Sequence, residues 1–321
     1  MAGTLHIVFG TGPLGKNTAR ALIGMGKQVR MVNRSGKLAG MPAEVEVVAA
    51  DAYNPTAVIQ ITRHAETIYQ CAQPEYHDWA GKFPALQASI MQGAAANGAK
   101  FIVGDNLYLY GDGGGQTITE ESPIKPISKK GIIRRDMAAA VMAAHGRGEV
   151  RAAIGRASTF FGGEYDVIAE MVYKAALLGK RVQFFGKGNV PHTFTYIPDY
   201  GRLLAALGTR EEALGEAWIA PSNPALTQEA FLTLISAEVG KPLKASYANR
   251  LMMSVFGLFN PGARETVEMM YEFEKPYIIS SAKAERTFGL KPTPFPQAIR
   301  ETFDWARAQF MTPTERMAAG G

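Results

Sequence analysis

Short apolar runs alternate with amphipathic stretches through the first half of the chain. Strands are predicted at Thr4–Phe9, Gln28–Val32, Val45–Ala50, Thr67–Cys71, Lys100–Val103 and Arg151–Gly155. Between them the spacing predicts helices at Pro13–Met25, Pro55–Thr62, Trp79–Asn97 and Ser128–Gly146. The runs are continuously apolar rather than alternating, the pattern of strands buried on both faces. Strands alternating with helices form a parallel sheet covered on both sides. The expected fold class is α/β, a doubly wound parallel sheet with a smaller mixed α/β second domain capping its cleft.

After about Phe160 the rhythm changes. Helices are expected at Glu164–Leu178, Pro198–Leu207, Thr227–Val239 and Pro296–Phe310, and short strands at Arg181–Phe185 and Ala217–Ile219. Val255–Phe273 is rich in Met and aromatic residues and is interrupted by Asn260-Pro261-Gly262. The division expected is a nucleotide-binding domain over 1–160, a mainly substrate-binding domain over 161–311 with segments returning to the first, and a frayed tail over 312–321.

Gly10-Thr11-Gly12-Pro13-Leu14-Gly15 lies between the first strand and the first helix. Gly10 permits a tight turn, Gly12 lets the backbone approach a pyrophosphate, and Gly15 lets helix and strand pack closely. The helix start adds N–H groups and partial positive charge. This is the Rossmann-like arrangement for a dinucleotide. The second strand ends in Asn33-Arg34-Ser35-Gly36-Lys37, without the acidic residue that would bond the adenosine ribose of NAD. Arg34 suits a 2′-phosphate in fork geometry, with Asn33 and Ser35 as donors, and this favours NADP over NAD. The bland alternative is a solvated basic loop.

Composition narrows the field. With 321 residues, 47% of them hydrophobic, the chain can bury a large core. The net charge of +5 is spread too diffusely to argue for nucleic acid. The single cysteine, Cys71, excludes a disulfide framework and reads as a buried thiol. No run is long enough to span a membrane, the start lacks a signal-peptide pattern, and a cytoplasmic protein is expected. His6, His64 and His145 are scattered without a carboxylate pattern, so no metal site is expected.

A series of landmarks resembles the extended and atypical short-chain dehydrogenase/reductases, the NAD-dependent epimerase/dehydratase superfamily, over nearly the whole chain. They are the glycine motif, Ala50-Asp51-Ala52, Cys71-Ala72-Gln73, Asn106-Leu107-Tyr108-Leu109-Tyr110-Gly111, Thr119-Glu120-Glu121-Ser122-Pro123, Gly155–Gly162 and His192–Asp199. The resemblance implies that Asp51 and Ala52 touch the adenine, that Ala72 and Gln73 line the middle of the cofactor, and that Ala157 and Ser158 pass near the nicotinamide.

The chain departs from that pattern where the chemistry sits. Asn106 stands where the family usually carries Ser or Thr. Aligned on Pro126 and Gly131, the Tyr-x-x-x-Lys pair becomes Lys130 and Arg134. Tyr108 is the first candidate proton donor: on an extended segment it shares a face with Asn106, and Lys130 is a candidate cation to stabilise its phenolate. Its packing reading is a ring against the cofactor or pocket. Asn106 is a donor to a substrate oxygen or a local backbone partner. Lys130 is a proton donor or holds the ribose, and Arg134 holds the ribose or a phosphate. Both also fit the solvated face of a helix whose inward side is Ile132, Ile133, Met137 and Ala140.

Tyr76, His77, Phe160, His192 and Tyr196 are candidate substrate-side residues. Glu272 and Glu274, near Lys275, read as a surface charge cluster. The main expectation is an NADP-dependent reductase or dehydrogenase acting on a small carbonyl, alcohol or activated alkene, as a monomer or homodimer. A catalytically silent NADP-binding redox sensor and a nucleotide-sugar epimerase/dehydratase are the alternatives.

Overall fold

The computed structural model describes residues 4–165 and 168–312. The expected tail lies almost wholly outside them. Seven parallel strands form the central sheet in the order β3-β2-β1-β4-β5-β6-β10. They are β1 (Leu5–Phe9), β2 (Gln28–Asn33), β3 (Glu46–Ala49), β4 (Ala65–Gln70), β5 (Lys100–Asn106), β6 (Arg151–Ala157) and β10 (Ala217–Ile219). The order reverses between β1 and β4. Such a switch point opens a crevice at the carboxyl ends of the strands.

Two apolar layers cover this sheet. On one face α3 (Trp79–Asn97) and α4 (Lys129–Gly146) bury Phe83, Leu86, Ile90 and Val141 against Ile68, Phe101 and Ile154. On the other, α1 (Pro13–Gly24) and α5 (Ile197–Thr209) bury Leu22, Leu203 and Leu207 against Val8, Tyr69 and Ile102. A Cβ on Gly201 would stand 2.6 Å from the Asn17 carbonyl carbon, so α1 and α5 meet backbone to backbone. The helix expected at Pro198–Leu207 thus covers the sheet instead of the cleft.

Helix starts follow their caps. Asn54 accepts from Thr56 and Ala57 N–H at the head of α2 (Pro55–Ile61), and Ser128 accepts from Gly131 N–H at the head of α4. Thr227 caps α6 (Gln228–Glu238) in the same way.

Beyond the sheet, β7 (Thr159–Phe161) pairs with β9 (Phe194–Tyr196), and β8 (Val182–Phe185) with β11 (Ala245–Ala248). With α6 and α11 (Phe295–Phe310) they enclose a core of Phe161, Tyr173, Phe194, Phe231 and Phe303. Of these four short strands the apolar pattern predicted only β8. Within the expected helix at Glu164–Leu178, positions 166 and 167 lie outside the described residues, and Ala169–Lys174 winds as a π-helix.

The Met-rich stretch divides into α7 (Arg250–Phe256), α8 (Pro261–Val267) and α9 (Tyr271–Glu274), followed by α10 (Ala282–Phe288). Asn249 and Asn260 cap α7 and α8. Leu251, Leu258 and Phe259 lie exposed rather than in a core. Among the described residues no helix is long and apolar enough to cross a membrane, and no group of His, Cys, Asp or Glu is placed to hold a metal.

Candidate active site

The three glycines behind β1 do different physical work. Gly10 has φ +106° and its N–H donates to Val32 O; a Cβ there would meet the Ala72 backbone nitrogen at 2.6 Å. A Cβ on Gly15 would stand 2.0 Å from Gly10 O. Gly12 is the N-cap of α1, with no side-chain cap, and a Cβ there would meet nothing within 4 Å. The second glycine therefore keeps an open face beside uncapped helix N–H groups, the cradle a pyrophosphate needs. On the far side, the Ser158 hydroxyl is buried without a hydrogen-bond partner. A dinucleotide fits the residues present.

At the end of β2, Asn33 Oδ1 accepts from the N–H of Ser35 (3.0 Å) and Gly36 (2.7 Å), and the Ser35 hydroxyl donates to the same oxygen. These two residues spend most of their polar atoms on their own turn, contrary to the expectation of free donors. Arg34 is exposed and makes no hydrogen bond or ion pair among the described residues. The Asp51 carboxylate accepts from Tyr53 N–H; Ala52 is half-buried and Gln73 exposed.

Lys130 and Arg134 are both held by acids of this fold. Lys130 is 2% exposed, ion-paired with Glu265 and, at 3.0 Å, with Glu268, and its Nζ lies 4.4 Å from the Tyr76 ring centroid. Arg134 donates to Asp105 Oδ1 at 2.6 Å and to Gly104 O at 3.1 Å. Arg156 donates to the other oxygen of Asp105 at 3.1 Å. Neither Lys130 nor Arg134 sits on a solvated face; Lys130 is paired by the half-buried Glu265 and Glu268 and Arg134 by the buried Asp105. Ile132 and Ala140, expected inward, are exposed.

Tyr108 is not on an extended segment. β5 ends at Asn106, whose Oδ1 accepts from Tyr108 N–H at 3.1 Å, and Tyr108–Tyr110 is a 3-10 turn. The Tyr76 hydroxyl donates to the Tyr108 hydroxyl at 3.0 Å, and Trp79 stacks beside Tyr108. Burial, then Tyr76 and Glu272, pushes the Tyr108 phenol well above its usual value. This is opposite to the lowering expected from Lys130, which is ion-paired with Glu265 and Glu268.

A model of the NAD dependent epimerase/dehydratase family matches residues 7–219. The chain belongs to this family. Solved structures with the same fold include UDP-glucuronic acid 4-epimerase from Bacillus cereus in complex with UDP-glucuronic acid and NAD (16% identity, TM-score 0.76, covering 95% of this chain and 99% of that one). UDP-glucose 4-epimerase from Thermotoga maritima with UDP-glucose is 18% identical (TM-score 0.77, 95% and 99% covered). dTDP-glucose 4,6-dehydratase from Bacillus anthracis in complex with NAD is 15% identical (TM-score 0.77, 95% and 97% covered). No curated protein sequence matches significantly.

Within this family fold the remaining candidates separate. Tyr76 and Tyr108 come together beyond β4 and β5, while Phe160 packs on Tyr165 and Tyr200. His77 is on the rim, its side chain 48% exposed. His192 is not a cleft residue. It is buried between Phe194, Phe273 and Tyr277, its Nδ1 bonded to Glu272 O at 2.9 Å, and burial lowers its pKa to about 4. Tyr196 is likewise buried, donating to Glu301 at 2.8 Å.

Glu274 and Lys275 are surface residues, paired with Arg250 and Asp112. Glu272 is not; it is 5% exposed, and burial raises its pKa to about 8. Its Glu-Phe-Glu-Lys context carries a polar signal. Only packing against distant tyrosines and His192 sets it apart.

Proposed function

We propose that the chain is a nicotinamide-dinucleotide-dependent enzyme acting at a hydroxyl or carbonyl carbon of a small molecule of the nucleotide-sugar type. The observation that carries this is the open face of Gly12 at the uncapped start of α1, at the switch point of the sheet. The diphosphate would lie on Gly10–Gly15, including Thr11, Pro13 and Leu14. Asp51 and Ala52 would meet the adenine, Ala72 and Gln73 the middle of the molecule, and Ala157 and Ser158 the nicotinamide. The bound dinucleotide supplies or accepts a hydride.

The relatives in complex with NAD support the cofactor class, and those that act on UDP- and dTDP-sugars support the substrate class over free ketones or enones. The unpaired Arg34 and the missing acid after β2 support NADP within that class. Residues 1–160 would serve the cofactor and parts of 161–311 the substrate, with Tyr76, Tyr108 and Phe160 between them and His77 at the rim. Asn106 would hold the Tyr108 turn in place.

The test is titration with NADPH and NADH, followed by proton NMR of UDP-glucose, UDP-glucuronic acid and a ketone and enone panel in the presence of protein. Sugar conversion is expected. Dinucleotide binding without turnover of any of these would instead support a silent binding protein, a reading favoured by the ion pairs that occupy Lys130 and Arg134.

A further inference from the structure

The α7–α8 hairpin is apolar on two sides. Inside, Met253 packs with Ala263 and Met270, and Val267 lies against them. Outside, nothing covers it. Twelve large hydrophobic side chains lie exposed among the described residues, and six of them fall within Leu251–Phe259. Leu258 and Phe259, at the turn into α8, are 76% and 84% exposed. A helix apolar all round is ordinarily buried all round, and a contiguous exposed patch marks an interaction surface. The hairpin is built to hold its shape. Asn249 and Asn260 cap its helices, and Arg250 Nη1 donates to Val267 O at 3.1 Å. A Cβ on Gly257 would stand 2.8 Å from the Arg264 Cα, so the end of α7 rests on the backbone of α8.

A second patch adjoins this one. Glu268, just beyond α8, accepts from the N–H of Lys129 at 2.8 Å and of Lys130 at 3.3 Å, which ties the hairpin to the start of α4. The segment entering α4 exposes Ile124, Ile127 and Ile132. Nine of the twelve exposed large hydrophobics therefore lie on two adjoining segments. The charge on these segments has one sign. Neither 122–135 nor 249–264 contains an Asp or Glu, while together they carry seven Lys and Arg. Lys130, Arg134, Arg135 and Arg250 are paired with acids from outside the two segments. Lys125, Lys129 and Arg264 are exposed and form no ion pair among the described residues.

The pattern discriminates between covers. A two-fold dimer would set this surface against itself, facing unpaired cations with cations and offering no carboxylate from either segment. An anionic lipid surface answers both halves of the pattern: its acyl chains take the hairpin tip, and its headgroups take the cations around it. Since no helix among the described residues is long and apolar enough to cross a membrane, the contact is with one leaflet.

We propose that the tip of the α7–α8 hairpin, with the adjoining Ile124–Ile132 segment, docks the protein on an anionic lipid surface. The proposal stands apart from the dinucleotide chemistry of the cleft.

The test is co-sedimentation of the full chain with vesicles of phosphatidylcholine and of phosphatidylcholine mixed with phosphatidylglycerol, at low and high salt. Binding is expected to the mixed vesicles and should weaken with salt. Leu258→Ser combined with Phe259→Ser should weaken it by about tenfold or more. Lys125→Gln combined with Arg264→Gln should weaken it by on the order of tenfold and remove most of the salt dependence. Phe259→Trp should gain a blue-shifted emission on mixed vesicles relative to the parent, a readout that holds even if the serine variant fails to fold. Absence of sedimentation with mixed vesicles overturns the proposal, as do folded serine or glutamine variants that sediment like the parent, or a Phe259→Trp emission that does not move. A concentration-dependent dimer in analytical ultracentrifugation that the serine variant abolishes also overturns it, because the face then belongs to a second copy of the chain.

Discussion

The buried carboxyl of Glu272 makes a prediction about stability that needs no substrate. Its proton affinity is raised in the folded chain, from an ordinary 4.5 to about 8. The stability it contributes is full below its unfolded value and is lost as pH rises through about 8. His6 and His192 act in the opposite sense. Both are buried and lowered from 6.5 to about 4, so each weakens the fold as pH falls below 6.5. Between about 4.5 and 6.5 the two histidines outweigh the one acid and stability rises with pH; above 6.5 only Glu272 acts and stability falls. The maximum for these three groups lies near pH 6.5. From there to pH 8 the parent should lose about 2 kcal/mol, at roughly 1.4 kcal/mol per pH unit. Glu272→Gln removes the titration and should be flat over that interval. Urea unfolding of both proteins at pH 6.5 and 8.0, without dinucleotide, measures the difference. A parent that holds its stability, or a Gln variant that falls alongside it, would refute the account of Glu272 as a buried neutral acid.

Other substitutions probe the cradle and its supports. Gly12→Val should cost about 1 kcal/mol of stability or less, because its Cβ meets nothing, yet abolish dinucleotide binding in a titration. Gly15→Val should instead cost more than about 3 kcal/mol in thermal unfolding, its Cβ colliding with Gly10 O. Asp105→Asn should cost about 3–5 kcal/mol in urea unfolding, since it uncouples Arg134 and Arg156 at once. If NADP is the cofactor, Arg34→Ala should reduce the preference for NADPH over NADH by about 1.5–3 kcal/mol in binding titrations.

The parallel sheet was legible because its strands are apolar runs that local periodicity reveals, and the helices that begin at Ser128 and Thr227 were legible from their spacing. β7, β9 and β11, three or four residues each, carry no such period; they exist because a neighbouring strand pairs with them. The same contrast divides the site. Gly10, Gly12 and Gly15 act through backbone shape, which spacing in the chain encodes. Lys130 and Arg134 take their roles from Glu265, Glu268 and Asp105, residues distant in sequence, and a one-dimensional pattern of cations looked the same as a solvated helix face. Glu272 was hidden for the same reason: Glu274, two residues on, lies at the surface paired with Arg250, while Glu272 turns inward.

The ion pairs of Lys130 and Arg134 also bear on what can be exchanged at this site. A tyrosine placed at 130 and a lysine at 134 would not make an ordinary catalytic pair. They would strand Glu265 and Glu268 beside a phenol, and offer Asp105 one compact ammonium where it now takes the Nε–H and the terminal N–H of a guanidinium. Three acids on two separate segments would have to change in concert with the two bases. Positions 130 and 134 are therefore coupled to their acids: exchanging either cation alone leaves carboxylates without a matched partner.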